Sequence, residues 1–326
     1  MRIDAPASDS VTPGRLPASV SRIARFVVVR YETHHLLYAV LFVAAVEGTA
    51  AVVSHPGAPW RPGWATAVRI VVVAVLLLYL RMVDEIKDLD YDRVHNPDRP
   101  LVTGAVSVGE LWASIGVVAI GLTVASLFLS WWSAVLVVAA MTYGLALWAL
   151  EALSAPVRDN LLLNLVVTYP VQLWIIAYIV RSAVDTGQVE SDWGTVAVAV
   201  IFAGAFLHFE FARKTVHGSR PGQWYYSNVL GGTGSAIATG FFAVLAVAVE
   251  LLLMRPGDHR LPWALLLWMP LPLLVIPVAG AWSFLRAAPD PAAARDSAPR
   301  EFPVVPAVVF VLLLYVILIV QALTWR

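Results

Sequence analysis

Two short clusters of charged residues carry most of the chemistry that this sequence offers. The first runs from Arg81 to Leu101 and holds four carboxylates, those of Asp84, Glu85, Asp88 and Asp92. If the preceding helix continues through the cluster, spacings of three and four residues place these side chains on one face. Four carboxylates on one face repel each other unless a cation lies between them. The spacing therefore predicts a cation-binding site.

Mg²⁺ is the cation that these ligands favour, because they are hard oxygen donors in a chain with no cysteine and only 7 histidines. Mg²⁺ held by one or two carboxylates completes its shell with phosphate oxygens of a substrate. The same cluster supplies cationic donors for such oxygens, namely Lys87, Arg93 and Arg99, and Asn96-Pro97 marks where the helix gives way to a turn. The alternative interpretation is a solvated acidic loop balanced by its own basic residues.

The second cluster begins at Glu210, near the end of an apolar segment. An ionised side chain in hydrocarbon costs about 2.5–3.5 kcal/mol on insertion scales, so this acid needs a partner or a function. Lys214 follows one helical turn later, and a simple ion pair between the two is one interpretation. The other makes Glu210 a metal ligand beside a diphosphate clamp of Arg213, Lys214 and Arg220. Hydroxyl groups near the ester oxygen would come from Tyr225, Tyr226 and Ser227.

The elements that position these clusters are membrane-spanning helices. The sequence is 60% hydrophobic and only 13% charged, with a mean hydropathy of +0.76, whereas soluble domains carry about 25% charged residues. Windows of about 20 apolar residues predict an all-α polytopic bundle of about nine transmembrane helices. The predicted spans are 34–54, 64–83, 108–129, 131–150, 158–181, 193–212, 229–254, 261–285 and 302–325.

The Lys and Arg residues predict the orientation of the bundle. Most of the 22 lie in the N-terminal tail or in the loops after the second, fourth, sixth and eighth spans, and positive charge favours the cytoplasm. We therefore expect residues 1–25 to form a disordered cytoplasmic tail and 26–326 to form one transmembrane domain. Both clusters then face the cytoplasm. The zero formal net charge gives no support for a nucleic-acid partner.

Polar residues also occur inside the predicted spans. Glu47 lies within the first span, where it either lines a cavity or bonds to a neighbouring helix while protonated. The fifth span carries Asn164 and Tyr169, which we assign to substrate binding, with Asn160 or Gln172 on a related stripe. Helix packing alone also explains such residues.

Together the two clusters resemble the UbiA superfamily of membrane prenyltransferases. That family has nine transmembrane helices and a first motif N-D-x-x-D-x-x-x-D. Here Asp84 stands at the Asn position, while Glu85, Asp88 and Asp92 stand at the three Asp positions. The segment Arg99–Leu101 matches the R-P-L segment that follows.

The second motif of the family is D-x-x-x-D after the sixth helix. Glu210 stands at its first acid, but Lys214 stands where the second acid belongs. This departure puts a symmetric site with two metal ions in doubt. Either the lysine replaces the charge of one metal ion or the catalytic competence is altered.

The resemblance implies a Mg²⁺-dependent enzyme that acts on a prenyl diphosphate in the membrane lipid. We expect Asp84, Glu85, Asp88, Asp92 and Glu210 to hold the metal. Lys87, Arg99, Arg213, Lys214 and Tyr226 would act in catalysis, and Arg93, Asn96, Asn164, Tyr169, Arg220, Tyr225 and Ser227 would bind the substrate. A small aromatic or lipid acceptor would receive the isoprenoid chain.

Three alternatives remain open. A membrane terpene cyclase would join the prenyl chain to itself without an acceptor, as some members of the same superfamily do. An ion-coupled transporter would use intramembrane acids such as Glu47, but most acids of this chain gather at one side of the membrane. A noncatalytic scaffold is favoured if the acids bind no metal.

Overall fold

The computed structural model describes residues 18–31, 33–218, 223–286 and 300–325. Within these ranges the protein is helical and has no β-strand, although Val216 and Glu301 form an isolated antiparallel bridge. The helices, in chain order, are α1 (Ala18–Arg30), α2 (Thr33–Ser54), α3 (Trp64–Lys87), α4 (Leu89–His95), α5 (Val108–Leu127), α6 (Trp131–Leu153), α7 (Ala155–Asp159), α8 (Leu161–Thr168), α9 (Pro170–Asp185), α10 (Trp193–Arg213), α11 (Ser227–Met254), α12 (Trp263–Leu267), α13 (Pro270–Leu273), α14 (Val275–Arg286) and α15 (Val304–Thr324).

Nine helical segments of the described chain are long and apolar enough to cross a membrane. They are α2, α3, α5, α6, α8 with α9, α10, α11, α12 through α14, and α15. The predicted all-α bundle of nine spans is confirmed. Loops joining the spans alternate between two ends of the bundle. We call the end with the loops after α3, α6 and α10 the polar end.

The nine spans form a closed ring. Each span contacts the next one along the chain, and α15 contacts α2 to complete the circle. Helices α2 and α10 also touch each other and several other spans, so they fill the middle. The centre is aromatic: the ring of Phe42 lies 5.2 Å from Tyr38, 5.7 Å from Phe202 and 6.0 Å from Tyr315.

Proline and glycine interrupt three of the predicted spans. Proline lacks the N–H that an inner helical turn needs, and Pro170 divides the fifth span into α8 and α9. Pro270 begins α13 within the eighth span. Gly231 adopts a φ of 70° inside α11, a conformation that favours glycine. These spans are bent segments rather than the continuous helices that hydropathy alone predicts.

The N-terminal tail is partly helical. Residues 18–25 of the predicted disordered tail belong to α1, which packs against α5, while residues 1–17 lie outside the described residues. The Nε of Arg22 donates a hydrogen bond of 2.9 Å to Oε1 of Glu110. Glu110 also completes a capping box with Ser107 at the start of α5. The transmembrane domain thus carries α1 as a docked helix at the polar end.

A buried ion pair joins α2 and α3 in the half of the bundle away from the polar end. Nη1 of Arg69 lies 2.7 Å from Oε2 of Glu47, and both side chains are fully buried. Ser182 and Gln188 accept further bonds from Arg69, and Thr66 donates to Glu47. Glu47 is therefore an ionic partner in helix packing, not one of the residues that line the cavity described below.

Candidate active site

A cavity of 380 Å³ opens among the spans at the polar end. It combines polar residues of both sequence clusters with a deep apolar wall. The charged lining residues are Asp84 and Lys87 at the end of α3, Glu151 at the end of α6, and Glu210, Arg213 and Lys214 at the end of α10. The apolar lining includes Leu77, Leu80, Leu147, Trp148, Leu165, Ile175 and Phe206. The cavity has the form required for a ligand with a charged head and an apolar tail.

On the α3 side, Lys87 is surrounded by carboxylates. Its Nζ lies 3.5 Å from Oδ1 of Asp84, 3.9 Å from Oδ1 of Asp88 and 3.3 Å from Oε2 of Glu151. Asp84 and Asp88 are four residues apart, so both reach the same cation. Glu151 arrives from another helix, and its Oε1 accepts a 3.0 Å hydrogen bond from Asn164. The ends of α3 and α6 thus meet at one ammonium group, and α8 is joined to them through Asn164.

Glu151 is a site residue that the sequence analysis missed. It lies at the end of the fourth span, whereas the clusters that we singled out follow the second and sixth spans. Its signal is visible in the sequence as a lone acid in the last turn of an apolar helix. Glu151 is recognised when every span end at the polar end is considered, and not only the charge-dense loops.

On the α10 side, Glu210 is buried and paired with two bases. Its Oε2 lies 2.5 Å from Nε of Arg213, and its Oε1 lies 2.8 Å from Nζ of Lys214. The hydroxyl of Tyr226 also donates to Oε1 at 3.1 Å. The ion pair between Glu210 and Lys214 is thus present, as one of our two interpretations predicted. Glu210, Arg213 and Lys214 still line the cavity, so the pairing does not remove them from the site.

The four carboxylates of the first cluster do not share one face, which corrects the sequence analysis. The helix breaks at Asp88, where α3 ends and α4 begins. Asp84 and Asp88 face Lys87, but Glu85 and Asp92 turn away toward Arg99. Nη1 of Arg99 contacts Asp92 directly and lies 3.9 Å from Oε1 of Glu85. The first cluster is thus divided between two bases, and its four carboxylates do not converge on one cation.

Glu85 is the centre of an arginine cluster. Its Oε1 accepts a 2.7 Å hydrogen bond from Nε of Arg30 and lies 3.1 Å from Nη2 of Arg81. Both Glu85 and Asp92 are almost fully buried, with 1% and 2% of their surface exposed. Neither lines the cavity. The cluster ties α1, α3 and the segment after α4 together beside the cavity.

Two groups of the site outside the spans have shifted pKa values. Partial burial raises the pKa of Asp88 to about 6, with the carboxylates of Asp84, Asp92 and Glu151 acting in the same direction and Lys87 opposing them. Asp88 is therefore ionised at neutral pH, and its pairing with Lys87 weakens as the pH falls through 6. Burial, with the adjacent Glu210 carboxylate, also raises the pKa of the Tyr226 hydroxyl. Tyr226 thus stays a neutral hydrogen-bond donor.

Several predicted substrate-binding residues lie elsewhere. Arg93 is exposed and pairs with Asp90 at 2.7 Å. Asn96 donates a 2.9 Å hydrogen bond to Asp92. The structure therefore does not bring Arg93 or Asn96 to the cavity wall, and Arg99 is held in the arginine cluster.

The residues after α10 are also distributed away from the cavity. Tyr225 is at the surface, with its hydroxyl 3.3 Å from Oε1 of Glu301. The hydroxyl of Ser227 accepts a hydrogen bond from the backbone N–H of Val216, so it organises the start of α11. Arg220 lies outside the described residues.

The polar residues of the fifth span lie in two places. Tyr169 and Gln172 line the cavity, and Asn164 reaches it through Glu151. Gln172 donates a 3.1 Å hydrogen bond to the hydroxyl of Tyr38. Asn160 instead caps α8 by accepting from the N–H of Leu163. The hydroxyl of Tyr169 is buried and makes no hydrogen bond with the part of the chain that the structure describes.

The acids around Lys87 suit a magnesium ion in their chemistry but not as a preformed cage. No three acids or histidines among the described residues are placed to hold a metal ion by themselves. Asp84, Asp88 and Glu151 nevertheless converge on one cation, the Lys87 ammonium. Mg²⁺ needs only one or two carboxylates when phosphate oxygens complete its shell. The carboxylates therefore fit Mg²⁺ that is bound together with a phosphate ligand.

Solved structures with the same fold are known, although no protein-family model and no curated protein matches the chain. A structure of digeranylgeranylglyceryl phosphate synthase in membranes aligns with 93% of this chain and 99% of its own, with a TM-score of 0.60 and 13% identity. The apo structure of a UbiA homologue from Aeropyrum pernix K1 aligns with 86% of this chain and 94% of its own, with a TM-score of 0.56 and 17% identity. The chain has the fold of these proteins, and the resemblance to the UbiA superfamily is confirmed at the level of the fold.

Proposed function

We propose that the chain belongs to the UbiA superfamily and is an intramembrane prenyltransferase, which transfers an isoprenoid chain from a prenyl diphosphate to an aromatic or lipid acceptor. One observation carries the proposal. Residues of both sequence clusters, Asp84 with Lys87 and Glu210 with Lys214, line the mouth of a single cavity whose depth is apolar. One fold neighbour is named for digeranylgeranylglyceryl phosphate, a product that carries geranylgeranyl groups.

The charge of the cavity supports a divalent metal ion as cofactor. Its lining contains three acids, Asp84, Glu151 and Glu210, and three bases, Lys87, Arg213 and Lys214. The lining by itself is therefore close to neutral. A diphosphate adds several negative charges to this confined space, and their burial is unfavourable without further cations. Mg²⁺ held by the carboxylates would supply the missing positive charge.

The residues of the chain then have separate roles in the reaction. Asp84, Asp88 and Glu151 would hold Mg²⁺, with Glu210 on the opposite wall, and the bound ion would offset negative charge on the diphosphate. Lys87, Arg213 and Lys214 would bind diphosphate oxygens and stabilise the charge that grows there as the allylic C–O bond breaks. Tyr226 holds Glu210 in place through its hydroxyl.

The apolar wall protects the reacting carbon. Leu77, Leu80 and Leu165 would surround the isoprenoid tail, and Trp148 and Phe206 would present ring faces to an allylic cation. Exclusion of water keeps this cation from hydrolysis. The acceptor then forms a bond to the allylic carbon and loses a proton. The products are the prenylated acceptor and free diphosphate.

A membrane terpene cyclase is the second candidate. Trp148, Tyr169 and Phe206 give the cavity three aromatic walls, and such rings stabilise the successive cations of a cyclisation. In that reaction a double bond of the same prenyl chain attacks the allylic carbon. No acceptor is consumed.

Diphosphate release by the detergent-purified protein tests the proposal. Geranyl, farnesyl and geranylgeranyl diphosphate are supplied with and without Mg²⁺, and organic extracts are analysed by mass spectrometry. Release that needs both Mg²⁺ and an aromatic or lipid acceptor supports the transferase. Mg²⁺-dependent release of a cyclic product without acceptor supports the cyclase. The absence of release in every condition contradicts both and favours a transporter or scaffold.

The same proposal places the polar end in the cytoplasm, because basic residues favour that side. The chain has no cysteine, so single cysteines at Asp98 and Ala58 give a clean test. Asp98 lies in the loop after α4 and Ala58 in the loop after α2, and both are exposed. A membrane-impermeant thiol reagent added outside intact cells should label Ala58→Cys and spare Asp98→Cys. The reverse pattern would show the opposite orientation.

A further inference from the structure

Lys87 is the shared counter-ion of three acids. Its Nζ lies within 3.9 Å of the carboxylates of Asp84, Asp88 and Glu151. In the described ranges these acids have no salt bridge to any other base. By contrast, Arg213 and Lys214 both pair with the single acid Glu210. The α3 side of the cavity thus has a surplus of acid around one cation, and the α10 side has a surplus of base.

The ammonium of Lys87 occupies the position that a metal ion needs. A divalent cation bound by Asp84, Asp88 and Glu151 would have to lie among the oxygens that now surround Nζ. Two cations so close together repel each other strongly in a partly buried site. Metal binding by these acids therefore requires Lys87 to move away. The lysine stem has four flexible carbons and can carry its charge elsewhere.

A bound diphosphate would offer the Lys87 ammonium new ionic partners. Its oxygens would enter the cavity between the α3 and α10 walls, and an ammonium released from three carboxylates can pair with them. From these contacts, and resting on the proposed function, we infer that Lys87 is a tethered counter-ion that keeps divalent metal out of the substrate-free site. Metal and diphosphate then enter together, and Lys87 exchanges its carboxylate partners for diphosphate oxygens.

This order of binding has a functional consequence. Without Lys87, the acids of the empty site would repel one another and would recruit metal ions before substrate. When Lys87 is present, its ammonium group offsets part of the negative charge of these acids in the empty site. Strong metal binding then depends on the presence of the diphosphate group. Lys87 is in this sense a positioning residue for the metal as well as a ligand of the diphosphate.

Mn²⁺ binding, followed by electron paramagnetic resonance on the full-length protein in detergent, tests this inference without any turnover. We expect the wild-type protein to bind Mn²⁺ weakly alone and at least about tenfold more tightly with inorganic diphosphate present, which corresponds to about 1.4 kcal/mol. Lys87→Met should bind Mn²⁺ at least tenfold more tightly than wild type without diphosphate. Lys87→Arg keeps the charge and should behave like wild type.

Two further variants control the result. Arg93→Met frees the exposed acid Asp90 outside the cavity and should leave Mn²⁺ affinity unchanged. Asp84→Asn in the Lys87→Met background should reverse the gain, which locates the metal at these acids. If Lys87→Met fails to fold, Lys87→Gln replaces it. Tight Mn²⁺ binding by the substrate-free wild type, or equal affinity in wild type and the neutral variants, overturns the inference.

The outcome is separable from that of the proposed function. If prenyl diphosphates are turned over but Lys87→Met shows no gain in metal affinity, only the counter-ion role is wrong. If Lys87→Met gains metal affinity but no prenyl diphosphate is ever turned over, the proposed function fails while the metal-excluding contact of Lys87 stands.

Discussion

Nζ of Lys214 lies 2.8 Å from Oε1 of Glu210, so a salt bridge occupies the place where the second motif of the UbiA superfamily has two acids. The pair lines the cavity together with Arg213. On this wall one acid faces two bases, and we expect it to bind diphosphate oxygens more than metal. The opposite wall, with its three acids around Lys87, is the more suitable place for Mg²⁺.

This asymmetry predicts the effect of Lys214→Met. The change removes one cation from the proposed diphosphate site but leaves Glu210 paired with Arg213 and Tyr226. Hydrogen bonds to charged groups contribute about 1.5–3 kcal/mol, so kcat/KM for diphosphate release should fall about 10- to 100-fold. Lys214→Arg keeps the charge and should lose much less. Equal activity in wild type and Lys214→Met would show that this lysine serves packing alone.

The different partners and burial of Asp88 and Asp92 predict different outcomes for two acids of the same motif. Asp88→Asn removes a partly exposed charge beside Lys87, which lines the cavity, so it should lower Mg²⁺-dependent turnover and leave the unfolding temperature nearly unchanged. Asp92→Asn removes the charged partner of Arg99 in a buried cluster. That change should cost about 1.5–3 kcal/mol of stability.

Turnover and thermal unfolding of the two variants, measured side by side, check this division. Arg93→Gln, which alters an exposed ion pair outside the cavity, serves as the control. If Asp92→Asn abolished turnover in a protein of wild-type stability, Asp92 would be a metal ligand as the motif alone predicts, and the structural separation from Asp88 would not hold in the working enzyme.

Cavity volume predicts a change in donor preference. Phe206 lines the apolar wall, with its ring 5.7 Å from that of Tyr169. Phe206→Ala should lengthen the space for the isoprenoid tail and shift relative kcat/KM toward longer prenyl diphosphates. Gly144 of α6 also lines the cavity, and a Cβ there would meet Cδ2 of Leu80 at 2.7 Å.

Gly144→Val should therefore narrow the cavity and shift the preference toward shorter donors. The two substitutions are expected to shift the preferred donor length in opposite directions, so each is a control for the other. Competition between geranyl, farnesyl and geranylgeranyl diphosphate in one reaction measures the shift. Parallel losses for all donors in both variants would mean that the tail lies elsewhere.

The buried pair of Arg69 and Glu47 predicts a stability effect that is independent of the site. Both side chains are fully buried, and loss of one partner from a buried ion pair costs about 3–5 kcal/mol. Arg69→Met should lower the unfolding temperature in detergent markedly. The double variant with Glu47→Met should recover part of the loss, because no unpaired charge remains. A double variant less stable than Arg69→Met would contradict this account of the network.

The sequence predicts much of this arrangement for identifiable reasons. Nine apolar windows determine the spans, and alternation of the loops places Asp84 and Glu210 at the same end of the bundle. The salt bridge of Glu210 with Lys214 follows from a spacing of four residues on one helix. These inferences depend on local periodicity and on the length of the apolar segments relative to the thickness of a bilayer. Both the periodicity and the segment lengths can be read from a single sequence.

Other features depend on packing between distant segments. Asp92 pairs with Arg99 rather than with Lys87, and no proline or glycine signals the boundary between α3 and α4 at Asp88. The role of Glu151 arises because α6 lies beside α3 in the ring. Arg30 reaches Glu85 only because α1 docks as a helix at the polar end. Such contacts require the positions of neighbouring helices, which the sequence alone does not supply.

The most direct measurement is Mg²⁺-dependent diphosphate release by three proteins in parallel: wild type, Asp84→Asn and Glu210→Gln. Arg93→Gln, which alters an exposed pair outside the cavity, is the control. If one cavity joins both clusters in a single prenyl diphosphate site, wild type and the control release diphosphate, and both cavity variants lose at least about tenfold in rate while remaining folded. Full activity in Asp84→Asn and Glu210→Gln would contradict the account.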